Sequence, residues 1–224
     1  MKAIFFSDAH LIHNNAERTE RVQAFIREVS KDADMVFILG DLFEFYHGYH
    51  GYIYPFFRET VDVLKEITTG KEAVYLIEGN HEFGMGEFFE SYTGIRCVKE
   101  AIILLDDKKV YLAHGDRLGL FRLGSFLKSR FIYSVMDLLG PDLTWKTAMW
   151  FRLFLSKKHK GYNERIRNKY RTLAEVKLKD GYDAVILAHS HISDIVDYND
   201  SGRKKTYLNT GRYSVKYEAE GRYL

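Results

Sequence analysis

The sequence predicts an α/β fold interrupted by a helical insertion, and three observations carry that expectation. Strand-like and helix-like runs alternate through the first half of the 224 residues. Short apolar runs flanking turn signals recur late in the chain, which predicts hairpins. Between them lies a long stretch whose apolar residues keep helical spacing.

Lys2–Phe6 is a short apolar run that stops at Ser7-Asp8. Glu17–Ser30 carries Val22, Phe25, Ile26 and Val29 on one helical face. Asp34–Leu39 is a second buried strand, stopped by Gly40-Asp41, and Phe56–Ile67 reads as a helix through Phe57, Val61, Leu64 and Ile67. A third strand, Ala73–Ile77, ends at Glu78-Gly79-Asn80-His81. Short strands and helices in this order predict parallel strands. Ala101–Leu105 and Lys109–Ala113 flank Asp106-Asp107-Lys108 as a hairpin, and Ala184–Ala188 is another continuous apolar strand. Ile195–Tyr198 and Lys205–Leu208 flank the turn Asn199-Asp200-Ser201-Gly202, so a second, largely antiparallel sheet is expected. Within the insertion, Leu123, Phe126, Leu127, Phe131, Val135, Met136 and Leu139 form one helical stripe ended by Gly140-Pro141. Trp145, Met149, Phe151, Leu153, Phe154 and Leu155 crowd the next, and 163–179 is a basic third helix. The expected division is a core of residues 1–116 and 181–224, with 117–180 as an inserted helical lid.

Composition narrows the function classes. Cys97 is the lone cysteine, which excludes an intramolecular disulfide and a cysteine-built metal site and points to a reducing, cytoplasmic setting. No apolar run approaches the ~18 residues of a membrane span. Asp8 arrives too early for a signal peptide. The net charge of +2 is unevenly spread: residues 117–179 hold 15 Lys and Arg against 4 Asp and Glu, leaving −9 for the rest. Such a segment predicts an anionic partner, whether a phosphate-bearing substrate, an anionic membrane surface or nucleic acid.

Candidate ligand groups recur where strands end. Asp8 and His10 follow the first strand, Asp41 the second, Asn80 and His81 the third, His114 the run 109–113, and His189 and His191 the run 184–188. Any one of these pairs is ordinarily a turn residue or a helix cap. Five of nine histidines placed so is a different matter, because loops beyond strand carboxyl ends form the binding crevice of open α/β sheets. Imidazole, carboxylate and amide oxygen together suit borderline transition metals, and without thiolates a closed structural zinc site is not expected. Two divalent ions held about 3.5–4 Å apart acidify water and clamp anionic oxygens, which makes phosphoester or phosphoanhydride hydrolysis the expected reaction.

Ser7-Asp8-Ala9-His10, Gly40-Asp41, Gly79-Asn80-His81-Glu82, His114-Gly115-Asp116 and Ala188-His189-Ser190-His191 resemble, in order, the motif series of the calcineurin-like metallophosphoesterases. The resemblance implies a four-layer α/β/β/α sandwich of two mixed sheets. It implies that Asp8, His10 and His191 hold one metal, that Asn80, His114 and His189 hold the other, and that Asp41 bridges them. His81 is then expected beside the substrate phosphate, as electrostatic stabiliser or as acid for the leaving group. Glu82 and Asp116 are expected to orient imidazoles.

Gly40-Asp41-Leu42-Phe43-Glu44-Phe45, the insertion after His114-Gly115-Asp116, and Leu208-Asn209-Thr210-Gly211-Arg212-Tyr213 are similar to the UDP-2,3-diacylglucosamine pyrophosphatases of lipid A biosynthesis. That resemblance implies release of UMP and 2,3-diacylglucosamine 1-phosphate at the inner membrane. Manganese is the usual metal, with iron, zinc and magnesium as alternatives. It also implies an apolar lid channel for the acyl chains and a peripheral seat on an anionic membrane. Arg117, Arg122 and Lys128 are candidate phosphate contacts, and Phe43, Phe45, Tyr46 and Tyr49 either pack or line the cleft. Two motifs depart from that branch: Gly79-Asn80-His81-Glu82 stands where Gly-Asn-Arg-Asp is usual, and Ala188-His189-Ser190-His191-Ile192-Ser193 where Gly-His-Thr-His before Arg-Pro is usual. An arginine suffices for a sugar-phosphate leaving group, whereas a departing alkoxide benefits from an acid. A different phosphodiester or phosphomonoester substrate (nucleotide, nucleic acid or phosphoprotein) therefore stays open, as does the oligomeric state.

Overall fold

The computed structural model describes residues 1–116, 128–155, 164–200 and 202–212. The first sheet is β1 (Ala3–Phe6), β2 (Met35–Ile38), β4 (Ala73–Ile77) and β6 (Arg96–Val98), in that spatial order, with β3 (Tyr46–His47) pairing separately with β5 (Glu82–Phe83). Helices α1 (Ala16–Ser30), α2 (Arg58–Thr68, entered through a 3₁₀ turn at Pro55–Phe57) and α3 (Gly86–Thr93) are its crossovers. The second sheet has the order β10 (Asp194–Asp200), β11 (Arg203–Asn209), β9 (Ala184–Leu187), β8 (Lys108–Ala113) and β7 (Glu100–Leu105). Two more helices are α4 (Arg130–Leu155) and α5 (Glu164–Lys179).

Alternation along the strands builds the layers. Ile4, Phe6, Val36, Ile38, Val74 and Leu76 face α1, α2 and α3 in one core, together with Val22, Ile26, Val61 and Leu64. Their neighbours Phe5, Met35, Phe37, Tyr75 and Ile77 point the other way, against Val110, Leu112 and Ile186 of the second sheet. Phe37 stacks between Phe5 and Tyr75 at ring-centroid distances of 5.0 and 5.3 Å. Tyr111, Ala113, Val185, Leu187 and Tyr207 then face outward against Tyr170, Ala174 and Leu178 of α5. The result is the expected α/β/β/α sandwich.

Three expectations change in detail. The first sheet is parallel in all its described pairings rather than mixed. The second is mixed, as the resemblance implied, rather than largely antiparallel as its hairpins suggested, because β9 lies parallel to both β8 and β11 between two antiparallel hairpins. Helix α5, grouped with the insertion by its charge, is the outer layer on the second sheet: one turn-spaced apolar face suffices to bury it, and the basic residues occupy the others. Gly140-Pro141 does interrupt α4 as expected: Gly140 takes φ 74°, ψ 169°, outside the helical region, and the helix resumes through Pro141. The part of the apolar stripe at 118–127 lies outside the described residues.

Candidate metal centre

The site sits where β1, β2, β4, β8 and β9 all end. The loop after β1 runs along the loop after β2, with Asp8 N donating to Gly40 O at 3.0 Å and His10 N to Asp41 O at 2.9 Å. Asp8, His10, Asp41, His189 and His191 all have positive φ, between 46° and 61°. Non-glycine residues rarely adopt this region, Asp, Asn and His most readily, and such strain gathers at functional sites. Gly40 (φ 86°) allows the close approach of these loops: a Cβ there would lie 2.6 Å from Gly79 N and 2.7 Å from His114 Nδ1.

Side chains from the five tips converge. His191 Nε2 is 3.1 Å and His10 Nε2 3.8 Å from Asp8 Oδ1. Asp41 Oδ2 lies 3.3 Å from His114 Nε2 and 3.8 Å from both His10 Nε2 and His81 Nε2. His114 Nε2 is 3.0 Å from His189 Nδ1 and 3.3 Å from Asn80 Oδ1. Asp8, His10 and His191 thus form one candidate metal-binding group and Asp41, His114 and His189 a second, with Asp41 reaching toward both. A third group, His10, Glu44 and His81, adjoins them.

The donors suit cations. Asp8 Oδ1 is buried and has no hydrogen-bond partner. Imidazole nitrogens face each other at 3.0 and 3.3 Å, an arrangement that a shared positive ion satisfies better than either imidazole satisfies the other. The ring orientations are fixed from behind. His114 Nδ1 donates to Leu39 O at 2.6 Å and His81 Nδ1 to Glu44 O at 2.5 Å, so each Nε2 is left facing Asp41. His81 and His191 keep about 30% of their side-chain surface exposed while Asp8, Asp41 and His114 keep almost none, so the opening lies on the His81–His191 side.

Charges are strongly biased. Burial opposes ionisation of Asp8, but the imidazoles of His10 and His191 close beside it outweigh burial and hold the carboxyl below the usual range. Burial likewise works against the Asp41 carboxylate, and the charges of His114 and His81 overcome it. His10 is raised to about 9 against its own burial, by hydrogen bonding to Asp8 and Glu44. His114 is raised to about 10 against burial by Asp41. His189 goes the other way, to about 4, through burial and the neighbouring His114 charge.

Glu82 corrects one expectation. Its buried carboxylate contacts backbone, not imidazole: Oε2 accepts from Asp41 N and Gly79 N at 2.9 Å each, and Oε1 from Phe43 N at 3.3 Å. It pins two loops together. Asp116 faces Lys128 at 3.7 Å, and buried Lys128 also donates to Gly79 O, one residue from Asn80. Phe43, Phe45, Tyr46 and Tyr49 are all buried in the first core. Arg117, Arg122 and Tyr213 lie outside the described residues. Sequence reasoning passed over Glu44, whose carboxylate is 3.4 Å from His10 Nδ1, and Ser7, whose Oγ donates to Asp8 Oδ2 at 2.5 Å and bonds Thr210 Oγ1 at 2.7 Å. Arg18 was missed as well; it holds the first loop through Ala9 O.

A sandwich of two sheets that brings imidazoles, carboxylates and an amide together at its strand tips defines a metal-dependent hydrolase. The model of the family described as calcineurin-like phosphoesterase matches residues 1–193, and the chain belongs to that family. Among curated relatives, a Vibrio vulnificus protein named UDP-2,3-diacylglucosamine hydrolase is 35% identical over 119 residues, 53% of this chain and 49% of that protein. A Stenotrophomonas maltophilia protein of the same name is 36% identical over 119 residues, 53% of this chain and 48% of its own. These matches span about half of each relative's length. A solved phosphopantetheinyl hydrolase from Mycobacterium tuberculosis superposes with a TM-score of 0.50 at 10% identity, covering 99% of this chain and 93% of that one, a likeness of fold.

Proposed function

We propose that the protein is a dinuclear-metal hydrolase that cleaves the pyrophosphate of UDP-2,3-diacylglucosamine, giving UMP and 2,3-diacylglucosamine 1-phosphate. The convergence of Asp8, His10 and His191 beside Asn80, His114 and His189, with Asp41 between, carries the hydrolytic part of this reading. The curated relatives' shared name and the apolar surface of α4 support the lipid part.

Asp8, His10 and His191 would hold one divalent ion and Asn80, His114 and His189 the other, with Asp41 shared, and manganese is the metal proposed. Such a pair supplies neutralisation of the phosphate charge and acidification of the attacking water. The protein's own groups do the positioning. Glu82 fixes the Asp41 and Gly79 loops, and the Leu39 carbonyl aims His114. His81 lies at the open side with Nδ1–H committed to Glu44 O, so a proton given to a leaving group travels from Nε2. Arg117, Arg122 and Lys128 remain proposed phosphate contacts, Lys128 standing beside Gly79 and Asp116.

Helix α4 is the proposed lid. Phe131 (69% exposed), Leu138 (88%), Leu143, Trp150 and Phe151 present apolar surface to solvent, which suits acyl chains and a peripheral seat on the inner membrane's cytoplasmic face. No described helix is long and apolar enough to cross a membrane. His81 favours a second reading, hydrolysis of a phosphoester with an alkoxide leaving group, because an imidazole donates the proton such a group needs. The test is UMP release from UDP-2,3-diacylglucosamine by the manganese-loaded protein, beside hydrolysis of an aryl phosphodiester. Release of UMP supports the first reading; aryl turnover without UMP overturns it in favour of the second.

A further inference from the structure

Glu44 touches more of the site than its place in the sequence suggests. Its backbone N–H donates to Leu11 O at 2.9 Å and its carbonyl accepts from His81 Nδ1 at 2.5 Å. Its carboxylate divides between two partners, Oε2 facing His10 Nδ1 at 3.4 Å and Oε1 accepting from Arg152 Nε at 2.5 Å. Arg152 stands near the end of α4, 108 residues away in sequence. A wholly exposed ion pair would couple weakly. This one differs, because Glu44 keeps only 11% of its side-chain surface exposed and is the group behind an imidazole of the candidate centre.

We propose that Glu44 is a positioning residue through which the seating of α4 and cation binding at Asp8, His10 and His191 favour each other. Arg152 holds the carboxylate in place, the carboxylate orients His10, and His10 presents Nε2 to the ion. Partners behind a ligating histidine typically change metal affinity by about 10–100-fold when removed. Coupling of this kind is reciprocal, so the ion must also steady α4. The inference rests on the two-metal reading proposed above.

Both tryptophans of the chain, Trp145 and Trp150, lie on α4, so intrinsic fluorescence reports this helix. Metal-free protein would be titrated with zinc, which is diamagnetic, at fixed pH. Calorimetry would give stoichiometry and affinity, and emission would follow α4, in the wild type, Glu44→Gln and Arg152→Met. Two ions in the wild type with a change in emission are expected. One of the two should weaken about tenfold in each variant, with the emission change reduced, and excess metal should restore aryl phosphodiester turnover by Arg152→Met. A merely structural role for the pair would lower thermal stability without selecting one ion and without rescue by metal. Two ions bound with wild-type affinity by both variants would overturn the coupling alone. No ions bound by the wild type would overturn the two-metal reading and the coupling together.

Discussion

The cradle at the strand tips buries polar atoms, whereas the kinked helix Arg130–Leu155 exposes apolar ones. In the cradle, Asp8 and Asp41 have almost no accessible surface, and Glu82, Leu39 O and Glu44 O each hold a neighbour in place. On the helix, Trp145 is buried among Tyr54, Phe56 and Phe57, while Phe131, Leu138, Leu143, Trp150 and Phe151 face water. Unsatisfied polar atoms are expensive inside, and large apolar patches are uncommon outside unless something covers them. On the proposed function, bond cleavage belongs to the first region and choice of substrate to the second.

Four measurements would break or sharpen that division. Asp41→Ala should cost at least about 10³-fold in kcat/KM on every phosphoester, since it removes the carboxylate nearest both groups of donors. Loss below tenfold on an aryl phosphodiester would refute the cradle's role. Trp145→Ala should lower unfolding free energy in urea by about 3 kcal/mol, the usual cost of truncating a buried large aromatic residue. Metal stoichiometry should meanwhile be unchanged; a lost ion would show that helix and cradle are one unit. Phe131→Ser and Trp150→Ser should each weaken turnover of diacylated substrate about tenfold, consistent with the transfer energy of one aromatic side chain, and leave a soluble phosphodiester untouched. Equal losses on both substrates would assign those residues to stability.

The smallest effect is in pH. His10 and His114 are raised to about 9 and 10 in the metal-free fold, above the unfolded value of 6.5. Their ion pairs therefore stabilise that fold fully below pH 6.5 and are lost as pH rises through 9 to 10. Metal takes the neutral imidazole, so affinity should climb over the same interval. Melting of metal-free protein should fall by a few degrees between pH 6.5 and 9.5, with metal-saturated protein nearly flat. Parallel curves would show that these imidazoles are not the metal's ligands.

Much of the cradle was legible because its residues sit at strand ends, and strands announce themselves by apolar runs. Ala73–Ile77 was placed to the residue, and His189 and His191 followed from Ala184–Ala188. What escaped notice has no periodic signal. Tyr46–His47 and Glu82–Phe83 are two-residue strands made by pairing across 36 positions, which no local pattern encodes. Helix α5 was read with the insertion for its many basic residues, whereas Tyr170, Ala174 and Leu178 seat it on the second sheet. Glu44 and Arg152 meet only through tertiary structure. Glu82 was expected on an imidazole and found on backbone, since composition names a partner's charge but not its address.

The left-handed backbone at Asp8, His10, Asp41, His189 and His191 restricts the alphabet available there to Asp, Asn, His and Gly. Exchanges among the first three alter donor charge and hardness while leaving the loop's path intact. On the two-metal proposal, single exchanges at these positions would shift metal preference without rebuilding the scaffold, whereas a β-branched replacement at any of the five would strain the loop itself.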